Sequence, residues 1–524
     1  MFKGHPKGLI AAALSNMGER FGYYIMNAVL LLFLCSKFGI PDQVAGAIYG
    51  IFYFAIYIMA LPGGVIADKL QNYKGTIIAG LITMAAGYVV LSIPLAVSPA
   101  SKTMVLVVTC LALFIIAFGN GLFKGNLQAI VGQMYDNLEA EAAKKGPEAL
   151  ELAKSKRDPG FQIFYVFINI GGVIAPFVAP SLRQWWLGRN GMTYNSNLPA
   201  LCHQYINDAM GMDATQMANL TTYMQQNNTG FDPANMQAAC ESYLQVFNTG
   251  IHYSFIASVA AMLISLCIFL AFKKIFPAPA KKAAKEAVVE YSAAEKAAMA
   301  KEIKQRMAGL YAVLGICVFF WMSFHQNGQS LSLFARDFVH TESVAPEVWQ
   351  FLNPALVILL TFPIMWLFGT KWGRKISTPR KIVIGMLFAA CAYVFLTVFS
   401  ANMGYPSGKA FLAQDAGTID SMKAGAWVLI VTYFFLTVAE LFISPLGLSF
   451  VSKIAPKHLQ GICQGLWLGA TAIGNLLIMI GPILFNALPK LWMTWATFAL
   501  ICLIAMSVMF GMLKWLERIT SQQQ

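Results

Sequence analysis

The chain has 524 residues, of which 58% are hydrophobic and 12% charged, with a formal net charge of +13. A soluble domain carries about twice that charged fraction, and the apolar residues here gather in runs too long for soluble cores. Soluble domain classes are thereby excluded, and the placement of the basic residues excludes nucleic acid as the reason for the charge.

Runs of about 20 apolar residues are long enough to span a bilayer. In chain order they fall at 9–36, 43–66, 75–96, 103–131, 160–181, 251–272, 307–335, 349–370, 381–400, 425–450, 461–487 and 491–514. Twelve spans predict an all-α integral protein of the cell (inner or plasma) membrane. Of the 37 Lys and Arg, 27 fall on one set of alternating connections and eight on the other, leaving Arg20 and Lys124 at depth. Cytoplasmic segments collect basic residues, so both termini are predicted to be cytoplasmic. The first span has its own charges and no small-residue cleavage site, which argues against a cleavable signal peptide. The basic inner face fits anionic lipid as a partner.

The first span holds Gly18-Glu19-Arg20-Phe21-Gly22-Tyr23-Tyr24 in its middle. Charges at that depth face a polar cavity or a partner. Asn16, Arg20, Tyr23 and Asn27 recur at i, i+4, i+7 and i+11 and so share one helix face. For the two asparagines, cavity lining and helix-to-helix hydrogen bonding are equally compatible with the pattern. The turn after the second span reads Gly63-Gly64-Val65-Ile66-Ala67-Asp68-Lys69 and is similar to a loop motif of the major facilitator superfamily. Asp68 and Lys69 are expected to form a structural latch between helices on the inner face. The turn after the eighth span, Gly369 to Lys375, echoes it, as a duplicated transporter would.

The fourth span carries Gly119-Asn120-Gly121-Leu122-Phe123-Lys124-Gly125-Asn126. Its glycines permit close helix approach or local unwinding. Lys124 is a binding or coupling residue, or else one half of a structural pair with a carboxylate. The fifth span presents Asn169, which both donates and accepts. Segment 182–250 is too long for a turn and is read as a small exported cap. Cys202 and Cys240 lie within it, on the oxidising side, where a disulfide is favoured. The other seven cysteines lie in spans and are read as packing residues.

The six-and-six division of the spans predicts an N-terminal bundle (1–272), a cytoplasmic linker (273–306) and a C-terminal bundle (307–524). In the linker, Ser292-Ala293-Ala294-Glu295 is a capping-box pattern opening a helix into the seventh span. That span carries His325, which either titrates near neutrality or sits neutral and hydrogen-bonded. The eighth span has Asn353-Pro354, where the proline is expected to bend the helix toward a cavity. Glu440 and Ser444 lie on the tenth span, Trp467 and Asn475 on the eleventh. The deep bases thus lie in the first half and Glu440 in the second. A dipolar cavity between the halves suits a zwitterion, with its carboxylate toward Arg20 and Lys124 and its ammonium toward Glu440.

Jointly these motifs resemble the proton-dependent oligopeptide transporter (POT, or PTR) family of the major facilitator superfamily. The matching residues are Glu19-Arg20-Phe21-x-Tyr23-Tyr24, Gly121-x-x-Lys124-x-Asn126, Phe164-Tyr165-x-x-Ile168-Asn169-x-Gly171, Phe320-Trp321 through Gln326 with Ser330-Leu331, Asn353-Pro354, and Glu440-Leu441-x-x-Ser444-Pro445-x-Gly447-Leu448-Ser449. The resemblance implies twelve helices in two six-helix bundles, alternating access, import of di- and tripeptides with proton symport, and action as a monomer. It implies a peptide site lined by Tyr24, Tyr57, Asn169, Asn353, Glu440, Ser444 and Trp467, to which the polar pattern adds Arg20, Tyr23, Lys124 and His325. The candidate proton carriers are Glu19, Lys124, His325 and Glu440.

Three departures bear on coupling. Asn16 stands where the family's first-helix motif has a leading Glu. Asn27 replaces a family Arg, and His325 a family Glu with which that Arg can pair across the halves. Losing both partners leaves no orphan charge. The alternative cargo is a modified peptide, an amino-acid derivative or an anion, or the same cargo with altered ion coupling. No metal-ligand or nucleophile motif is present, so neither an enzyme nor a cofactor beyond the coupling proton is expected.

Overall fold

Backbone in hydrocarbon must satisfy its own N–H and C=O groups, so each apolar run folds as a helix. The computed structural model describes residues 4–277, 293–340, 344–454 and 460–521. Among these, twelve helical spans are long and apolar enough to cross a bilayer. Residues 278–292 of the predicted linker, including Ser292 of the capping-box pattern, lie outside the described residues, and residues 293–306 are already part of the helix that enters the seventh span.

The first span is α1 (Leu9–Phe38). It stops at Gly39, whose φ of 55° directs its N–H back to Cys35 O. The second is α2 (Asp42–Ile58) and α3 (Ala60–Leu70), and the third α4 (Tyr73–Ser92), begun by Asn72, which accepts from Gly75 N. The fourth and fifth are α5 (Lys102–Ala143) and α6 (Pro147–Arg189). Then come α7 (Leu198–Asp208), α8 (Ala214–Asn227) and the sixth span, α9 (Met236–Phe272). The seventh span is α10 (Ala293–Phe324), a 3₁₀ turn over His325–Gly328, and α11 (Ser330–Phe338). A 3₁₀ turn over Pro346–Phe351 leads into α12 (Leu352–Gly369), and α13 (Lys371–Lys375) forms the following turn. The remainder is α14 (Thr378–Asn402), α15 (Gly408–Leu412), α16 (Ala416–Met422), α17 (Trp427–Ile454), α18 (Gln460–Leu477), α19 (Ile480–Ala487), α20 (Leu491–Gly511) and α21 (Leu513–Ser521).

Some expectations are corrected. Segment 132–159 is not a loop: α5 and α6 continue through it to a short turn at 144–146. Segment 182–250 is helical at both ends, which narrows the cap to 190–235. Pro354 does not bend its span, because it stands in the first turn of α12. A helix start leaves its first N–H groups unpaired, so a missing one costs nothing there.

In the first half, α4 packs on α5 and α9, and α1 packs on α6 and α9. In the second, α14 packs on α17 and α20, and α10 on α18. Gly63 and Gly121 let α3 and α5 cross with no room for a side chain: a Cβ on Gly63 would lie 2.1 Å from Gly121 O. Close approach, rather than unwinding, is therefore what these glycines supply, and α5 is unbroken. Outer positions such as Leu111, Phe114, Ile264, Leu359 and Leu500 are exposed apolar residues that suit lipid.

The halves meet at the end of the bundle that carries the cap. There Arg336 donates to both Asp42 oxygens at 3.0 Å, and Asn486 donates to Asp42 at 3.3 Å. Gln329 donates to Gly46 O and Gln350 to Ala28 O. Arg183 is closed on Glu347 at 2.5 Å with both side chains buried. At the end carrying the termini, polar contacts among the described residues stay within one half, such as His5 with Tyr135 and Arg380 with Glu517. The bundle is shut at the cap end.

Candidate functional site

Glu19 and Arg20 are adjacent on α1, and both are buried. Arg20 donates through Nε and Nη2 to the two Glu19 oxygens at 2.6 and 2.7 Å, and Asn120 of α5 donates to Glu19 at 2.8 Å. The guanidinium also lies 4.6 Å from the Tyr23 ring centre. Two opposite charges share one hydrogen-bonded knot, so the pair brings little net charge to the cavity. Asn120 is the member that sequence reasoning missed. Its place in a glycine-rich stretch one turn before Lys124 is the signal that marks it.

Lys124 differs. Its ammonium stands 4.5 Å from the Tyr57 ring centre, and no carboxylate lies within 4 Å of it among the described residues. The structural-pair reading is not met. A cation held by an aromatic face and left without a counter-ion is available to an incoming anion.

On the opposite half, Asn353 donates to Glu440 at 2.8 Å and to Thr437 Oγ1 at 3.2 Å. This links α12 to α17 and presents the Glu440 carboxylate without a cationic partner among the described residues. Tyr24 and Tyr57 lie within electrostatic reach of both Arg20 and Glu440. The charged groups of the two halves thus border one aromatic space. Tyr165 is 40% exposed in a helix otherwise packed on α1, and Asn169 donates back to Tyr165 O at 3.0 Å. Trp467 packs edge-on to Trp321, with ring centres 6.4 Å apart, and covers Gly447, where a Cβ would lie 1.9 Å from its ring. Ser444 is half-buried one helical turn beyond Glu440.

The two replaced gate positions are satisfied separately. Asn27 accepts from Tyr49 at 3.1 Å and Tyr23 at 3.3 Å, all within the first half. His325 occupies the break between α10 and α11. Its ring stacks on Trp321 at 5.2 Å and meets Tyr53 edge-on at 5.1 Å. Its Nδ1 is buried and has no partner, and the buried Asn475 side chain is likewise unpaired. Ring contact replaces charge as the cross-half link at this level.

At the inner-face turn, Asp68 of α3 bonds to Tyr73, the first residue of α4. Asp68 and Lys69 are both exposed, and Lys69 makes no ion pair among the described residues. Cys202 of α7 and Cys240 of α9 are buried neighbours, and both are free thiols rather than the expected disulfide. Two further carboxylates of the second half, Asp337 and Glu347, are buried at the cap end. Their basic partners, Arg336 and Arg183, were legible only as loop-flanking charges.

A family model described as the POT family matches residues 74–285 and 279–492. The chain is 28% identical over 502 residues to the peptide transporter YePEPT of Yersinia enterocolitica, covering 91% of this chain and 87% of that protein. It is 27% identical over 474 residues to dipeptide and tripeptide permease B of Shigella dysenteriae, covering 88% and 83%. A peptide transporter POT crystallised with sulfate superposes with a TM-score of 0.66 at 20% identity, covering 99% of this chain and 96% of that one. A POT family transporter in complex with 5-aminolevulinic acid gives 0.67 at 18% identity, covering 99% and 98%. These last two establish the shared fold.

Proposed function

The chain belongs to the POT family, and from that premise we propose that it imports di- and tripeptides by proton symport through alternating access. It is a multi-pass membrane protein. The relatives named above are transporters of peptides, which favours peptide cargo over another small solute. In this reading the termini are cytoplasmic, the cap end faces out, and residues 1–272 and 307–524 rock about the site while 273–306 links them. The protein acts as a monomer in lipid and needs no cofactor beyond the proton.

One observation carries the assignment. Lys124 stands unpaired over Tyr57 in one half, and Glu440 stands without a cation on Asn353 in the other. A zwitterionic peptide completes both. Its carboxylate goes to Lys124, with the Arg20–Glu19 knot behind it, and its ammonium goes to Glu440. Tyr23, Tyr24, Asn169, His325, Ser444 and Trp467 line the remainder. An ammonium and a proton compete for the Glu440 carboxylate, so symport requires that the proton displaced by the arriving ammonium pass to a second group, Glu19 or His325, and cross with the peptide. That transfer supplies coupling without the carboxylate that Asn16 replaces. Glu19, Lys124 and His325 are the further proton-carrying candidates.

The test is uptake of a labelled dipeptide into proteoliposomes with the outer medium acidified. The reading requires accumulation above equilibrium in wild type, abolished by a protonophore. Uptake indifferent to the gradient would remove symport from the account.

A further inference from the structure

The cap has no role in the transport cycle as described so far, yet it touches both halves. Its roots are fixed to the first half. Thr193 N donates to Asn227 O at 2.9 Å and Thr229 N to Gly191 O at 3.0 Å, which ties the cap strands together beside α6. Tyr243 of α9 donates to Thr193 O at 3.0 Å. His203 of α7 contacts Ser36 O at the end of α1 at 2.6 Å. The cap therefore moves with the first half.

Its far side grips the second half. Asn219 of α8 is 4% exposed. Its Nδ2 donates to Gln414 O at 2.8 Å, and its Oδ1 accepts from Ala416 N at 2.9 Å. Both partners are backbone at the start of α16. One amide side chain thus uses its donor and its acceptor on a single segment of the opposite half. A second grip lies nearer the bundle. Arg183, buried at the end of α6, pairs with Glu347 of the second half. Tyr194 of the cap covers the guanidinium at 4.2 Å, and Phe247 covers it at 5.0 Å. The cap roof keeps water from the ion pair, which strengthens it.

We propose that segment 190–235 is a clasp that holds the outer gate shut, with Asn219 as the positioning residue that sets the balance between outward-closed and outward-open states. The inference rests on the transport reading for its consequence but not for its geometry. Outward opening must part α8 from α16, because each is tied to a different half. Breaking the clasp costs the Asn219 bonds in every cycle. Loss of two hydrogen bonds shifts such an equilibrium by about ten-fold or more.

The experiment places spin labels at Ser98→Cys in the first half and Lys409→Cys in the second, with the exposed Cys267 changed to Ser, in otherwise full-length protein in lipid. Asn219→Leu removes both bonds at constant size, and Gln225→Ala on an exposed position of the same helix is the control. Distance distributions are expected to show a longer-distance population about ten-fold larger relative to the short one in Asn219→Leu, and unchanged in Gln225→Ala. Asn219→Gln, which keeps the amide, should fall between. An unchanged distribution in an Asn219→Leu protein with wild-type thermal stability overturns the clasp. Dipeptide uptake measured on the same samples separates the two claims: absence of uptake in wild type sinks the transport reading, whereas the distances alone decide the clasp.

Discussion

Arg20 and Glu19 neutralise each other through a two-bond contact, 2.6 and 2.7 Å, between neighbours on one helix. Removing one member of a buried pair strands the other and costs about 3–5 kcal/mol, while removing both is far milder. Glu19→Gln should therefore lower the melting temperature sharply, and Glu19→Gln with Arg20→Gln should recover much of the loss. Additive losses in a thermal melt would show that the two act independently.

Lys124 is the unpaired cation beside Tyr57. A hydrogen bond to a charged group contributes about 1.5–3 kcal/mol, so Lys124→Gln is expected to raise the KM for a dipeptide by roughly ten- to a hundred-fold. An amidated dipeptide, lacking the carboxylate, should be bound equally poorly by wild type and Lys124→Gln. If the variant still discriminates between the free and amidated forms as wild type does, the carboxylate is held elsewhere.

Asn27 accepts from Tyr23 and Tyr49, so Asn27→Arg alone buries a cation among phenols. It should destabilise the protein by several kcal/mol, on the order of a stranded buried charge. Adding His325→Glu supplies a partner across the halves, and the double variant is expected to be more stable than Asn27→Arg. A double-mutant cycle with no coupling energy would place the two positions out of reach of one another.

The cap carries its own pH response. Burial is the main cause that holds the His203 imidazole below its ordinary value of 6.5, against the contact with Ser36 O, which raises it. For a base depressed in the folded state, the unfolded chain binds more protons in the interval below 6.5. Stability is then full above about pH 6.5 and falls as pH drops toward the folded value. Hydrogen exchange in α7 should slow less from pH 7 to 5.5 than the base-catalysed intrinsic rate does, and His203→Gln should remove that excess. Equal excess in the variant would locate the response in another group.

Much of this architecture is legible in the chain. Twelve apolar runs become twelve spans because hydrocarbon leaves backbone little choice, and the glycines at 119 and 121 declare a close crossing. The details that escaped depend on what is nearby in space. Pro354 reads as a kink in isolation, yet a 3₁₀ turn ends just before it and makes it a helix start. The break at His325–Gly328 contains no proline to announce it. Asp42 and Arg336, far apart in sequence, read as ordinary span-flanking charges until packing brings them to 3.0 Å. Asp68 follows a latch pattern, but that its partner is the Tyr73 hydroxyl rather than a basic group shows only in the fold. The candidate site is legible residue by residue; that Arg20 is already spent on Glu19, leaving Lys124 free, is not.

The central claim is that Glu440 takes up the coupling proton and hands it to a second group when the peptide ammonium arrives, so that both cross together. The most direct measurement compares wild type and Glu440→Gln in proteoliposomes, once under an inward proton gradient and once as counterflow with peptide on both sides. The account predicts that Glu440→Gln loses gradient-driven accumulation while retaining counterflow, at a raised KM. Wild-type accumulation in Glu440→Gln under the gradient would contradict it.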